Sequence, residues 1–172
     1  MAYAVVRLKS SRDKKPKMKD TLKMLRLNSV NHCTVIPKRP AYKGMLNKVK
    51  DMVTWGEIDI DTMVDLLKNK SEMEESELEK KISEKTSYDD LEQLADAVTS
   101  DEITVDEIDG LDRVFRLDPP FGGYRSTKKP YNMGGALGYR GSEINPLIQN
   151  MLGPENTHEE ADKHGKKEKE EE

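Results

Sequence analysis

Residues 31–56 read NHCTVIPKRPAYKGMLNKVKDMVTWG, and this stretch decides the fold. Residues 31–36 are rich in apolar and β-branched side chains, a composition that predicts a strand. Pro40 suits the first position of a helix, where its missing N–H costs nothing, and apolar residues then recur on one helical face. Val53–Trp55 predict another strand, which ends at a glycine. The stretch therefore reads as strand, helix, strand.

The residues before this stretch show the same kind of pattern. Ala2–Leu8 (AYAVVRL) predict a first strand, and a basic loop follows over residues 9–17. Met18, Leu22 and Leu25 recur at i, i+4 and i+7, which is one face of a short helix. The resulting β-α-β-α-β order favours a small α/β (α+β) fold, an open sheet with helices on one face.

Charge is distributed very unevenly along the chain. Residues 1–56 carry 14 Lys/Arg and 3 Asp/Glu, whereas residues 57–112 carry 5 and 20. Residues 113–152 carry 6 and 2, and residues 153–172 carry 4 and 8. These changes predict four segments. They are a basic core at 1–57, an acidic helical extension at 58–112, a glycine-rich basic arm with a short helix at 113–152, and a disordered charged tail at 153–172.

Local signals organise the acidic extension. Asp59 is a suitable N-cap for a helix that continues through two leucines. Residues 71–85 are dense in charge, which predicts an exposed, poorly packed helix or a linker. Ser87-x-x-Asp90 and Thr104-x-x-Glu107 resemble capping boxes that open two further helical segments.

The arm begins and ends with recognisable elements. Residues 114–117 predict a strand that the following prolines end. Residues 121–141 (FGGYRSTKKPYNMGGALGYRG) show no hydrophobic period, which predicts a segment without regular structure. Asn145-Pro146 can open a last short helix.

The overall composition limits the size of the core and the class of protein. Charged residues make up 36% and hydrophobic residues 34%, with a mean hydropathy of −0.85. This favours a small core with arms that become ordered on a partner. A single cysteine excludes an intramolecular disulfide, and no apolar run reaches the length of a membrane span. The N-terminus does not resemble a signal peptide, so we expect a cytoplasmic protein.

A strongly basic segment indicates a polyanionic partner, most often nucleic acid, because Lys and Arg release condensed counterions from phosphates. In the core, the predicted contacts are Arg12, Lys14, Lys15, Lys17, Lys43, Asn47, Lys48 and Lys50. In the arm they are Arg116, Tyr124, Arg125, Lys128, Lys129, Tyr131 and Arg140. The tyrosines of the arm, Tyr139 included, can stack on unpaired bases.

The sequence shows no motif of a phosphate-binding loop, a dinucleotide site or a metal site. The glycines are not followed by the Lys-Ser/Thr of a phosphate-binding loop, nor spaced as in a dinucleotide site. His32 and Cys33 are adjacent on a predicted strand, so their side chains point to opposite faces and cannot share a metal. The acidic run lacks the spacing of a calcium loop. We expect no metal site and no cofactor.

Several linked motifs together resemble a known family. They are TLKMLRL at 21–27, NHC at 31–33, PAYKGMLNKVK at 40–50, VTWGEI at 53–58, FRL at 115–117, GGY at 122–124 and GGALG at 134–138. These residues resemble the large-subunit ribosomal proteins of the L-thirty family, in the archaeal form that corresponds to the eukaryotic protein L-seven. The match covers about residues 2–152. Asp118 departs from the family pattern, which has a basic residue or His there, and the tail 153–172 has no counterpart.

The resemblance implies a ferredoxin-like core and a structural, non-enzymatic role on the ribosome. The implied partners are large-subunit ribosomal RNA, in the region near the five-S RNA, and neighbouring ribosomal proteins. No membrane and no small-molecule substrate are implied. Three other functions stay open: an RNA-binding module outside the ribosome, a protein adaptor that uses the acidic residues 57–112, and a small phosphate-ester hydrolase in which Arg12 would hold the anion.

Overall fold

The computed structural model describes residues 2–10, 12, 14–70, 75–85, 87–105, 114–124 and 126–152. The predicted β-α-β-α-β order is confirmed. Its elements are β1 (Ala2–Arg7), α1 (Pro16–Met24), β2 (His32–Pro37), α2 (Pro40–Lys48) and β3 (Val53–Glu57). The chain continues through α3 (Ile60–Lys70), α4 (Glu75–Lys85), α5 (Leu91–Thr99), β4 (Phe115–Arg116), β5 (Ser126–Pro130), β6 (Gly135–Tyr139) and α6 (Ile144–Met151). The tail predicted to be disordered lies outside the described residues.

β1 is an interior strand of a six-stranded sheet with the order β4-β2-β1-β3-β6-β5. It runs antiparallel to both of its neighbours, and Val5 is paired with Thr34 on one side and Trp55 on the other. β6 joins β3 in parallel, with Thr54 opposite Gly138. All residues of β1 are buried, because strands cover both of its edges and helices cover both of its faces.

One face of the sheet is covered by α1 and α2. Side chains alternate along β1, so Tyr3 and Val5 point to this face. There they pack in one hydrophobic cluster with Leu22 of α1, Leu46 of α2 and Trp55 of β3. This agrees with the predicted arrangement of the two core helices on one face.

The opposite face is covered by the acidic extension and by the last helix. Ala4 and Val6 of β1 belong to a larger hydrophobic cluster that includes Leu66 of α3, Leu94 of α5 and Ile148 of α6. The acidic extension is therefore amphipathic, and its apolar side completes the core that composition alone predicted to be small. The two faces of one sheet are both interior surfaces.

Of the two alternatives for residues 71–85, a poorly packed helix or a linker, the structure shows a helix, α4. Its Ile82 is buried to 1% exposure in the same cluster as α3 and α5, while the neighbouring Lys81 and Ser83 are exposed. Among the described side chains of α4, Ile82 is the apolar one that packs in the core. Residues 71–74 lie outside the described part of the chain.

One of the predicted helix starts is confirmed and another is wrong. The Asp59 carboxylate accepts a hydrogen bond from the Thr62 N–H (2.8 Å), as an N-cap should. Ser87, however, does not cap α5. The Asp90 side chain accepts from the Gln93 N–H (2.9 Å), so the cap lies three residues later and directly precedes the helix. The signal at Thr104-x-x-Glu107 extends beyond the described residues.

The prediction that residues 121–141 have no regular structure is wrong. They contain β5 and β6, and Ala136 and Leu137 of β6 are buried in the larger cluster. The segment has no hydrophobic period because β6 is short and β5 is an exposed edge strand with an irregular pairing to β6. β6 forms because it pairs with β3, which lies far away in the sequence, and no local hydrophobic pattern predicts this pairing.

The contact between β3 and the chain after β6 depends on Gly56. A Cβ atom at this position would lie 1.8 Å from the carbonyl oxygen of Gly141. The Arg140 N–H donates to the Trp55 carbonyl (2.9 Å) at the same place. A side chain on Gly56 would therefore push apart two backbone segments that are directly hydrogen-bonded.

This close approach predicts that Gly56→Ala lowers the free energy of unfolding by about 1–3 kcal/mol, the usual cost of overpacking. Gly44 is a matched control, since it lies inside α2 and a Cβ atom added there would have no neighbouring atom within 4 Å. Gly44→Ala should raise the free energy of unfolding by about 0.5–1 kcal/mol through helix propensity. Urea denaturation measures both values, and shifts of the same sign would contradict the prediction.

Candidate nucleic-acid interface

The two helical layers carry opposite charges. Residues 38–50, which include α2, contain five Lys/Arg and no Asp/Glu, and residues 9–26, which include α1, contain eight and two. Residues 59–102, which include α3, α4 and α5, contain 5 Lys/Arg and 15 Asp/Glu. We call residues 9–26 and 38–50 the basic layer. The sheet separates this layer from the acidic helices, so the charge split along the sequence becomes a split across the sheet.

The side chains predicted for the core lie on the outside of the basic layer. Lys14 is half-buried, and the other seven are exposed: Arg12, Lys15, Lys17, Lys43, Asn47, Lys48 and Lys50. On α2, the buried Leu46 and Val49 face the sheet, which turns the neighbouring polar residues outward. The loop is tied to α1 because Lys19 Nζ donates to the Arg12 carbonyl oxygen (3.3 Å).

α1 and α2 begin in the same unusual way. Each has proline in its first turn, a basic N-cap residue (Lys15 or Arg39), no side-chain cap and no acidic residue in its first turn. Positive charge at a helix N-terminus opposes the helix dipole and costs stability. The partial positive charge of each helix N-terminus, beside cationic side chains, suits the binding of an anion such as phosphate.

The residues of the arm that are predicted to contact nucleic acid do not lie together in the structure. Lys128 and Lys129 are exposed on β5 at one edge of the sheet, whereas Arg116 is exposed on β4 at the opposite edge. Arg116 faces His32 in the neighbouring strand. The pKa of His32 is lowered by burial of its ring and by the charges of Arg116 and Arg7. Arg125 lies outside the described residues.

Arg140 is held within the fold. Its Nε donates to Thr54 Oγ1 (2.7 Å) and its Nη2 donates to the Ala136 carbonyl (2.6 Å). Its guanidinium lies 4.9 Å from the centre of the Tyr131 ring, within the range of a cation–π contact. The structure thus brings Arg140 and Tyr131 together and bonds Arg140 to Thr54 of β3.

Tyr124 also has a partner inside the protein. Its hydroxyl donates to Asn31 Oδ1 (2.8 Å), and burial raises the pKa of the phenol. Asn31 has a positive φ of 68° immediately before β2, so this hydrogen bond joins the arm to a turn of the core. The ring is only half-exposed, which leaves little of it for stacking.

Tyr139 is the most exposed tyrosine of the arm, at 51%. Its ring lies beside Trp55 and Tyr3, and its hydroxyl donates to the Glu57 carboxylate (2.7 Å). Lys38 completes the group through an ion pair with Glu57 (3.2 Å). Burial alone would raise the pKa of Glu57, but the hydrogen bonds from Tyr139 and Lys38 lower it overall.

Sequence reasoning left out several cations of the basic layer. Lys23 in α1, and Lys38 and Arg39 before α2, are exposed. Lys38 is paired with Glu57 (3.2 Å), and Arg39 is paired with Asp101 after α5 (3.2 Å). Helical spacing from the buried Leu22 would have identified Lys23. Lys38 and Arg39 follow the end of β2, and sequence alone does not specify where their side chains point.

The described residues show neither a cluster of metal ligands nor a membrane-spanning helix. Within them, no three His, Cys, Asp or Glu side chains converge as metal ligands. Cys33 is buried, and burial raises the pKa of its thiol to about 12. Over the same residues, every helix is too short or too polar to cross a bilayer.

Comparison with known proteins identifies related sequences. The family model described as Ribosomal protein L30p/L7e matches residues 3–53. The chain is 47% identical over 139 residues to the large ribosomal subunit protein uL30 of Methanopyrus kandleri, covering 78% of this chain and 93% of the relative. It is 41% identical over 152 residues to uL30 of Methanosphaera stadtmanae, covering 87% and 99%. For uL30 of Thermoplasma acidophilum the values are 42% over 151 residues, covering 87% and 92%.

The contacts of Arg140 predict a structural effect of its removal. Arg140→Ala should lower the free energy of unfolding by about 1–3 kcal/mol, because the Thr54 and Ala136 groups lose a charged partner. Lys128→Ala, on the exposed edge strand, should change it by less than about 0.5 kcal/mol. Thermal or urea denaturation compares the two variants. Equal stability of both would mean that Arg140 is not a structural residue.

The Tyr139–Glu57 hydrogen bond predicts a distinct titration. The carboxylate raises the pKa of Tyr139 to about 12, because ionisation of the phenol would destroy the hydrogen bond. The hydrogen bond stabilises the folded state fully below the pKa of about 10 that the Tyr139 phenol has in the unfolded chain. Its contribution to the free energy of unfolding is lost as the pH rises through the higher pKa of the folded state. Glu57→Gln should lower the pKa of Tyr139 toward its ordinary value, as followed by ¹³C NMR of the tyrosine rings. Tyr139→Phe assigns the resonance, and an unchanged pKa in Glu57→Gln would disprove the link.

Proposed function

This chain belongs to the L30p/L7e family of ribosomal proteins, and on that premise we propose that its basic layer is the surface that binds ribosomal RNA. The protein is a structural constituent of the large ribosomal subunit. The observation that carries the proposal is the separation of charge by the sheet, which puts the cations of α1 and α2 on one side.

The proposed mechanism is neutralisation of phosphates at two helix N-termini. Lys14, Lys15 and Lys17 surround the start of α1, and the helix dipole adds partial positive charge there. A phosphate bound at this place would relieve the repulsion between the lysines and the helix dipole. Lys43, Asn47, Lys48 and Lys50 extend the contact along α2 and fix the orientation of the protein on the RNA.

A second contact is proposed at the opposite sheet edge from β4. Lys128 and Lys129 of the edge strand β5 are exposed, and the adjacent turn contains Gly134 with a φ of 86°, a conformation that favours glycine. Within this contact we propose that β5 is held in place by Arg140, Tyr131 and Tyr124. Lys128, Lys129 and Arg125 would meet the phosphates.

We also propose that the bound RNA lies near the five-S RNA, as the family resemblance implies. The role is structural and includes no catalysis. Ultraviolet crosslinking of purified large subunits, followed by sequencing of the RNA attached to this protein, tests the location. Crosslinks within the five-S RNA or the large-RNA helices beside it would support it, and crosslinks confined to distant helices would refute it.

Charge reversal at the start of α1 tests the RNA surface. Lys14→Glu with Lys15→Glu should weaken binding to a large-subunit RNA fragment by at least about tenfold at low salt, and should make the log–log salt dependence shallower by about 1–2 units. Filter binding at several salt concentrations measures both.

Lys80→Glu with Lys81→Glu on α4 provides the control. It makes the same change in net charge on the acidic side of the sheet. Because salt screens charges that lie far from the RNA, the affinity for the RNA fragment should change by less than about threefold. If the two double variants lose affinity equally, only net charge matters and the basic layer is not the RNA surface.

A further inference from the structure

A groove with an exposed aromatic ring at its rim lies on the acidic side of the molecule. It runs between the N-terminal ends of α3 and α6, and its lining includes Asp59, Asp61, Glu143, Asn145 and Phe121. A continuous hollow leads on past Ile60. We call this surface the Phe121 groove.

Phe121 is exposed to 83%, whereas its backbone is held by hydrogen bonds. Its N–H donates to Asn150 Oδ1 (3.0 Å), and its carbonyl accepts from Asn150 Nδ2 (3.1 Å). The Gly123 N–H donates to the Pro120 carbonyl (3.0 Å), and Gly122 has a φ of 83°, which is the geometry of a type II turn. A turn with a fixed backbone holds the exposed ring at a defined place, so little backbone entropy is lost on binding, as suits an anchor residue.

The floor of the groove is also fixed. Asn145 Oδ1 accepts from the Asp59 N–H (3.0 Å), and Asn145 Nδ2 donates to the Glu57 carbonyl (3.1 Å). This side chain joins the start of α6 to the loop between β3 and α3. The shape of the groove is therefore formed before any partner arrives.

The groove has a defined charge. Asp59, Asp61 and Glu143 line it, and in the described part of the chain no Lys or Arg side chain does. Asp61 and Glu143 are exposed, and neither forms an ion pair with a described residue. Ile60, 40% exposed, adds a second apolar residue at the far end. The groove thus combines two apolar side chains with the carboxylates of Asp61 and Glu143, whereas Glu57 at its far end is paired with Lys38 (3.2 Å).

We propose that the Phe121 groove binds a Lys/Arg-rich segment of a neighbouring protein in the large ribosomal subunit. The carboxylates repel the phosphates of RNA and attract cationic side chains, while Phe121 and Ile60 accept the apolar parts of the segment. This inference rests on membership of the large subunit, but not on the proposed RNA surface. The protein would then join RNA on its basic side to protein on its acidic side.

Site-specific photocrosslinking tests the partner. The full chain, with p-benzoylphenylalanine in place of Phe121, is assembled into large subunits in cells, and the purified subunits are irradiated. We expect a crosslink to a protein, at a segment rich in Lys and Arg. A crosslink to RNA, to a second copy of this chain or to its own residues 153–172 would overturn the proposal, as would no crosslink at all.

The same crosslinker at Met24 separates this inference from the proposed function. Met24 is 60% exposed at the end of α1, within the basic layer, and should crosslink to RNA. RNA capture at Met24 without protein capture at Phe121 refutes only the groove. The reverse result supports the groove and refutes the RNA surface.

Charge reversal then tests the carboxylates. Asp61→Lys with Glu143→Lys should reduce the yield of the Phe121 crosslink by at least about fivefold, because the groove becomes cationic. Glu79→Lys with Glu84→Lys on the exposed side of α4 makes the same change in net charge away from the groove and should leave the yield unchanged. Equal yields from both double variants would show that the carboxylates of the groove do not select the partner.

Discussion

The burial of β1 on both faces is the constraint on which the rest of the structure depends. Tyr3 and Val5 point to one side of the sheet, and Ala4 and Val6 point to the other. Two helices of the first 57 residues cover only one of these sides. The second side would expose apolar surface to water if the acidic extension and α6 did not pack against it. The extension is thus a necessary half of the core, in addition to whatever surface it offers to partners.

Opposite charges follow from this arrangement. Each helical layer turns its apolar side to the sheet and its charged side to water, so the outer surfaces are basic over α1 and α2 and acidic over α3, α4 and α5. The sheet lies between most of these charges, and the ion pair of Arg39 with Asp101 (3.2 Å) joins the two sets at one end. A protein built in this way can face RNA with one layer while the other repels RNA and attracts cationic protein segments. The ribosome, a dense assembly of RNA and basic proteins, is an environment in which both surfaces have a use.

Sequence reasoning succeeded where local pattern and local structure coincide. Lys43 and Lys48 are exposed because Leu46 and Val49 are buried, and helical spacing alone predicts this. It did not foresee β5 and β6, because strand pairing with β3 compensates for a segment without a hydrophobic period. It also counted Tyr124 with the RNA contacts, whereas the structure shows its hydroxyl bonded to Asn31, 93 residues away.

The sequence by itself determined the β-α-β-α-β order, the starts of α2 and α3, and the reversal of charge near residue 57, because each depends on neighbours within a few residues. Only the tertiary structure shows which side chains of the arm are bonded within the protein. Arg140 meets Thr54 across 86 residues, and Phe121 is fixed by Asn150 across 29. A cation that is free to bind phosphate and a cation that holds a strand look the same in sequence. They differ in which distant oxygen atoms the fold places beside them.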